Sequence, residues 1–223
     1  MPSLEELMGQ DIYDLIYTHY DEKGDKIDDF EEVLLCEDFD IDKSKIEPLK
    51  KLLVPVSNPK ETLVPIEAAK LLAAWGVDEA IDYFQYCIET RIDKLGNLEP
   101  HRLHGYDTTY EEITDSLLKY YARCYDRREA DIALKKISPL LSKILLLAKE
   151  IPYNLSYIIS TIKRENWRLL ESELKECFLW FIKQKDKQNN YWNLIDLKLL
   201  FQKWDCDFVK NLESQYGIID IPN

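Results

Sequence analysis

Between Pro65 and Ile88 the chain spells out two helices and the turn that joins them, and no other stretch constrains the fold as tightly. Ile66, Ala69, Leu71, Leu72 and Trp75 share an apolar face. Pro65 stands where a first-turn proline is welcome, and Gly76 closes the helix as a C-terminal glycine. After a brief Val77-Asp78 link, Ala80, Ile81, Tyr83, Phe84, Cys87 and Ile88 continue as a second helix. The small residues Ala68, Ala69, Ala73 and Ala74 let the two approach closely, so the segment reads as an αα-hairpin.

Most other segments also repeat their apolar residues at helical spacing. Ser3 with Glu6 forms a capping box ahead of Leu4, Leu7, Met8, Ile12, Leu15 and Ile16. Asp21 to Lys26 is a turn around Gly24. Asp28 can cap a short helix carrying Phe30, Val33 and Leu34, and Asp42 another carrying Ile46, Leu49, Leu52 and Leu53. Thr108 with Glu111 makes a second capping box, opening a helix through Tyr125. Helices follow over Arg127 to Glu150, where Pro139 should start or kink the second part, then Pro152 to about Lys163, Trp167 to Lys183 and Tyr191 to Trp204. With only 6 glycines in 223 residues, the chain lacks the frequent turns of a β-sandwich.

The segment VPIEAAKLLAAWGVDEAIDYF resembles a HEAT-like helical repeat over about residues 60 to 92. The resemblance lies in the opening proline, the Ala-Ala pair, the leucines, the glycine and the acidic start of the second helix. It implies stacked neighbours, because one such repeat cannot bury its own face. The expected fold is all-α: antiparallel helix pairs stacked as an irregular HEAT-like bundle or solenoid. One continuous domain, 1–223, is expected, with acidic N-terminal helices at 1–54 and HEAT-like pairs at 55–223. The loop from Asp93 to Asp107 is the place for a boundary if one exists.

Charge is distributed unevenly. Residues 1–47 hold 16 Asp or Glu against 4 Lys or Arg, so −12 of the net −13 lies there. Such a field repels nucleic acid and anionic membrane and steers a basic protein. Its densest part holds Asp28, Asp29, Glu31, Glu32, Glu37, Asp38, Asp40 and Asp42, alternating with Phe30, Val33, Leu34, Leu35, Phe39 and Ile41. A charge run is ordinarily a solvated face. Like charges on adjacent turns cost stability, which a cationic partner would relieve.

Other constellations are weaker. Calcium-loop registers starting at Asp21 or Asp38 lack the required Gly and bidentate Glu together. His101, His104 and Asp107 could ligate a metal or act as base and orienter, but they sit on a loop without fixed spacing. A contact role suits that loop better, with Tyr106 and Tyr110 as candidates. Arg123, Arg127, Arg128, Lys135 and Lys136 form the densest basic cluster, diluted by acids, so nucleic-acid binding is disfavoured. Cys36, Cys87, Cys124, Cys177 and Cys206 are odd in number and widely spaced, and read as reduced, buried, cytosolic thiols. No leader or membrane span is visible, and GxGxxG, Walker A, GxSxG and HExxH are absent.

In overall character the chain resembles a bacterial toxin-immunity protein of the contact-dependent or polymorphic-toxin type. No residue motif carries that likeness. It implies a cytoplasmic, non-enzymatic protein, without cofactor or metal, that neutralises a basic toxin domain, often a nuclease, by masking its active site. The expected contact residues are the eight acids, with His101, His104, Tyr106 and Tyr110. The alternatives are a helical-repeat adaptor that holds a peptide or protein, and a metal-dependent hydrolase built on His101, His104 and Asp107.

Overall fold

The computed structural model describes residues 3–21, 23–27, 29–96, 98, 106–184 and 191–217. It is all-α and built from packed helix pairs. Among the described residues the only sheet is a two-stranded hairpin. The chain forms two compact units: the first holds Met1–Glu99 and Ser116–Ile137, the second Pro100–Asp115 and Ser138–Asn223. Both are discontinuous in sequence, where one domain over 1–223 was expected.

The first unit opens with α1 (Leu4–Met8), closed at its start by the expected capping box: Ser3 Oγ accepts the Glu6 amide at 3.2 Å and the Glu6 carboxylate accepts the Ser3 amide at 3.0 Å. The single helix expected through Ile16 breaks at Gly9 (φ +83°), and α2 (Gln10–Tyr17) follows. The turn at Gly24 joins two short strands, β1 (His19–Tyr20) and β2 (Lys26–Ile27), paired antiparallel with His19 opposite Ile27. Next come α3 (Phe30–Leu34) and α4 (Lys43–Lys50). Asp29, one position after the expected Asp28, caps α3 by accepting the Glu31 amide at 2.9 Å. Asp28 lies outside the described residues.

The predicted hairpin is present as α5 (Leu63–Ala74) and α6 (Asp78–Glu89). It packs Leu71, Leu72, Trp75, Ile81, Phe84, Cys87 and Ile88 into the core. Its turn is a Schellman motif: the Gly76 amide donates to Ala73 O and the Val77 amide to Leu72 O, both at 2.9 Å. The rest of this unit is the stretch Ser116–Ile137, which takes in the later part of α7 (Thr109–Asp126) and the first part of α8 (Ala130–Leu147). Helix α8 runs through Pro139 with no new start there. Pro139 and Lys135 lie on the exposed face, where water can take the carbonyl that a missing amide leaves.

The second unit adds α9 (Ser156–Glu165), α10 (Glu171–Lys183), α11 (Tyr191–Trp204) and α12 (Cys206–Tyr216). Its core includes Leu141, Ile144, Leu155, Ile159, Phe178, Phe181, Leu197 and Phe201. Asn193 ties the loop before α9 to α11: its Oδ1 accepts the Leu155 amide at 2.9 Å and its Nδ2 donates to Tyr153 O at 3.1 Å. Helix α12 has no counterpart in the sequence reading. Asp205 caps it by accepting the Phe208 amide at 3.1 Å.

Gly76 is needed twice over. Its φ is +73°, and a Cβ there would stand 2.4 Å from Arg127 Nη1 and 2.8 Å from Arg123 Cγ. Gly24 has a similar φ of +84° but open space around it. Gly24→Ala should therefore cost only the left-handed strain, about 1–2 kcal/mol. Gly76→Ala should cost about 3 kcal/mol or more, because it also displaces two arginines. Urea unfolding followed by circular dichroism checks this, and equal losses at the two positions would contradict it.

Candidate functional site

The acidity predicted for residues 1–47 falls wholly within the first unit. That unit holds 27 acidic against 16 basic residues, a net of −11; the second holds 15 against 13, a net of −2. Much of the negative charge, however, is engaged inside the unit. Asp42 caps α4, its Oδ1 accepting from the Ser44 amide at 3.0 Å and from the Ser44 hydroxyl at 2.5 Å. Glu31 pairs with Lys119 at 3.4 Å. Asp38 takes Arg127 in a two-pronged contact, Nε to Oδ2 and Nη2 to Oδ1, each 2.7 Å, and Arg123 Nη1 at 3.3 Å.

Those two arginines are the hub of the unit. Arg123 is 7% exposed. Its Nε donates to Ala74 O at 3.1 Å and its Nη2 donates to the carbonyl of Cys36. Arg127 Nη2 donates to Trp75 O at 2.9 Å. Arg123 on α7 and Arg127 just past its end thus satisfy the last carbonyls of α5, where the helix dipole favours positive charge, and hold the acidic loop after α3 against them. The basic cluster seen in the sequence is, at Arg123 and Arg127, turned inward. The hydrogen bonds from Arg127 hold the Asp38 carboxyl below the usual carboxylate range, and the pairing raises Arg127 in turn.

Beside this loop the first unit opens a cleft of about 960 Å³. His19 and Trp75 form its buried inner wall, in edge-to-face contact with ring centroids 5.6 Å apart. Trp75 Nε1 donates to Val33 O at 3.2 Å. His19 Nε2 lies 2.7 Å from Ile16 O; a carbonyl can only accept, so that nitrogen carries the proton. Burial pushes the imidazole below its ordinary value, which keeps it neutral at pH 7. Lys45 reaches into the wall and donates to three carbonyls at the end of α2: Asp14 at 3.0 Å, Leu15 at 3.1 Å and Thr18 at 2.5 Å. Its charge is thereby committed to a helix terminus.

The rim of the cleft is acidic and aromatic. Asp21, Glu32, Asp40 and Asp42 line it together with Tyr20 and Phe39. Asp21 accepts the amides of Lys23 at 2.8 Å and Asp25 at 2.9 Å and so shapes its own turn. Among the described residues, Glu32 and Asp40 make no side-chain hydrogen bond or ion pair. Tyr20 is 61% exposed and Phe39 74%. Within the acidic run, Val33, Leu34 and Ile41 are buried and anchor the segment, while Leu35 and Phe39 stand out in solvent.

The remaining expected residues are placed as follows. Glu37 is exposed, beside a small groove lined by Leu34, Leu35 and Lys119. His101 and His104 lie outside the described residues. Tyr106 and Tyr110 belong to the second unit. Tyr106 is half-buried, and burial with the Glu111 carboxylate pushes its phenol up to about 12. Tyr110 was expected at the surface but is 2% exposed, packed near Tyr153 in the core at the start of α7. Asp107 accepts the Thr109 amide at 2.8 Å, so its carboxylate is engaged with the first residue of α7. No group of three or more metal-ligating side chains is gathered among the described residues.

All five cysteines are free, but only Cys87, Cys124 and Cys177 are buried; Cys36 is half-buried and Cys206 exposed. Burial pushes the Cys87 and Cys177 thiols up to about 12, and those of Cys36 and Cys124 upward as well. These four are thiols, not thiolates, at neutral pH. No described helix is long and apolar enough to cross a membrane. No protein-family model matches the chain, and no curated protein or solved structure matches it.

Sequence reasoning found the acidic segment but missed the cleft. Phe39 between two aspartates was a readable signal, since an aromatic in an acidic turn has little reason to be there unless it packs or binds. Trp75 reads as part of a helix face in the sequence, and only the fold brings His19 against it.

Because the Asp38 carboxyl is held low, the stability it contributes is present above its unfolded value, near pH 4, and lost as pH falls through the lower folded value. Asp38→Asn should cost about 1–2 kcal/mol at pH 7, the range for charge-assisted hydrogen bonds at a half-exposed site. The difference from wild type should shrink towards zero near pH 2, as measured by urea unfolding at the two pH values. Arg123→Ala, which strips buried carbonyls of their donor, should cost about 3 kcal/mol by the same assay.

Proposed function

We propose that this chain acts by binding a basic protein, docking it on the acidic cleft of the first unit in the way an immunity protein masks its toxin. The observation that carries the reading is the exposed pair Tyr20 and Phe39 set among unneutralised carboxylates. Exposed aromatics serve as interface anchors, and surrounding charge sets encounter rate and orientation. The charge excess of residues 1–47 supplies the long-range field. The HEAT-like character of the α5/α6 pair fits a scaffold that presents such a surface. The partner, we propose further, belongs to the toxin–immunity class: it is a toxin domain, and masking its active site is the whole mechanism, in the cytoplasm and without chemistry.

The eight acids are not equivalent on this reading. Asp29, Asp38 and Asp42 hold the unit together, so reversing them would confound binding with folding. Glu32, Glu37 and Asp40 make no side-chain bond among the described residues, and of these Glu32 and Asp40 line the cleft. The decisive experiment is a low-salt pull-down from the native lysate, elution by salt, and association kinetics with the purified partner. One basic protein in stoichiometric amount is expected, toxic when expressed alone and harmless with this chain. Glu32→Lys with Asp40→Lys should slow association at low salt about tenfold and flatten its salt dependence. Unchanged association would overturn the assignment of the cleft. A stable multi-subunit assembly in the eluate would favour the adaptor instead.

A further inference from the structure

We infer that the group received by the cleft is a guanidinium, presented on an arginine-bearing segment of the partner. The inference rests on the proposed docking function and specifies what the cleft recognises. Its basis is the combination of apolar and charged surface in one cleft. Tyr20, Ile27, Val33, Phe39 and Trp75 give it apolar lining, and the two open carboxylates, Glu32 and Asp40, lie on the same lining. A cation entering there can lie against an aromatic face while it pairs with a carboxylate. Arginine suits this arrangement better than lysine. Its guanidinium is planar and weakly hydrated, stacks on rings and donates in a fork, whereas an ammonium holds its water and acts as a point charge.

The same loop already receives guanidinium groups from within the unit. Arg127 forks onto Asp38, and Arg123 reaches both Asp38 and the Cys36 carbonyl. The cations that line the cleft do not close it. Lys45 has spent its donors on the end of α2. Lys23 and Lys26 are exposed residues around the Gly24 turn, and no ion pair joins either to Glu32 or Asp40. Five carboxylates against three ammonium groups leave the lining net negative.

The test uses the full chain and three fluorescein-labelled peptides of one design, Gly-Gly-X-Gly-X-Gly-Gly with capped ends. X is arginine, lysine, or citrulline, the neutral isostere of arginine. Fluorescence anisotropy at low salt should rank them arginine, then lysine, then citrulline, with at least a fivefold gap at each step. Phe39→Ala, at a residue exposed enough to leave folding intact, should weaken the arginine peptide about tenfold and reduce its lead over lysine. Glu32→Gln with Asp40→Asn should weaken both cationic peptides alike. Glu176→Gln in the second unit is the control and should change neither. Equal binding of arginine and lysine peptides, or no effect of Phe39→Ala, overturns the inference. If either occurs while Glu32→Lys with Asp40→Lys still slows association of the protein partner, docking stands and only the guanidinium assignment falls. If the peptides behave as expected but no protein partner responds to those two reversals, the docking function falls instead.

Discussion

The first unit depends on two arginines, one on the last turn of α7 and one just after it, that reach the end of α5. A helix terminus leaves its last carbonyls without intrahelical donors, and when that terminus is packed against other elements water cannot supply the missing bonds. Arg123 and Arg127 supply them at Ala74 and Trp75, and their remaining donors take Asp38 and the Cys36 carbonyl. The glycine that ends α5 is bare because these side chains pass over it. One cluster thereby fixes the end of the central hairpin, the position of α7 and the path of the loop that carries Phe39 and Asp40. Lys45 repeats the device at the end of α2 and so fixes the wall of the same cleft.

This arrangement changes the meaning of the charge excess. Read as a string, residues 28–42 are a block of like charge that should repel itself. In the folded unit the block is divided. Caps at Asp29 and Asp42 turn carboxylates towards backbone amides at helix starts, where the dipole welcomes them. Asp38 and Glu31 meet cations from α7, some 88 positions away. Of the described acids in this block, Glu32, Glu37 and Asp40 are left without a side-chain partner, and two of these, Glu32 and Asp40, line the cleft with its aromatic rim. The cost of self-repulsion is accordingly smaller than the sequence suggests, and a partner is needed to explain only Glu32, Asp40 and their neighbours.

The helices were legible where local signals agree. The α5/α6 hairpin combines periodicity, a first-turn proline, small packing residues and a Schellman glycine, and it formed within two or three residues of the expected bounds. The box at Ser3 and Glu6 and the cap at Asp42 were likewise local. What escaped depended on long-range packing or on single residues. Gly9 split the first helix because its positive φ ends α1 just where the apolar spacing continues. The strands at His19 and Lys26 are two residues each, too short for any period-2 pattern to show. Helix α12 follows Trp204 after a single residue, Asp205, where the expected helices stop. Tyr110 was assigned to the surface because its loop is polar, yet it belongs to the buried face of the following helix.

The cleft is hard to find from sequence for a related reason. Its lining comes from α2, the β-hairpin, α3, the loop after α3, α4 and the end of α5. No spacing rule connects Tyr20, Phe39 and Trp75, and each has an ordinary structural reading by itself. The difference between them appears only as exposure: Trp75 is sealed against Val33 and His19, whereas Phe39 is left in solvent on a loop whose path is tied down from within the unit. An aromatic ring held in water on a fixed loop forgoes the burial that a modest change of backbone could have given it. That cost is understandable if the ring is covered in the bound state, and the carboxylates beside it define the charge of what covers it.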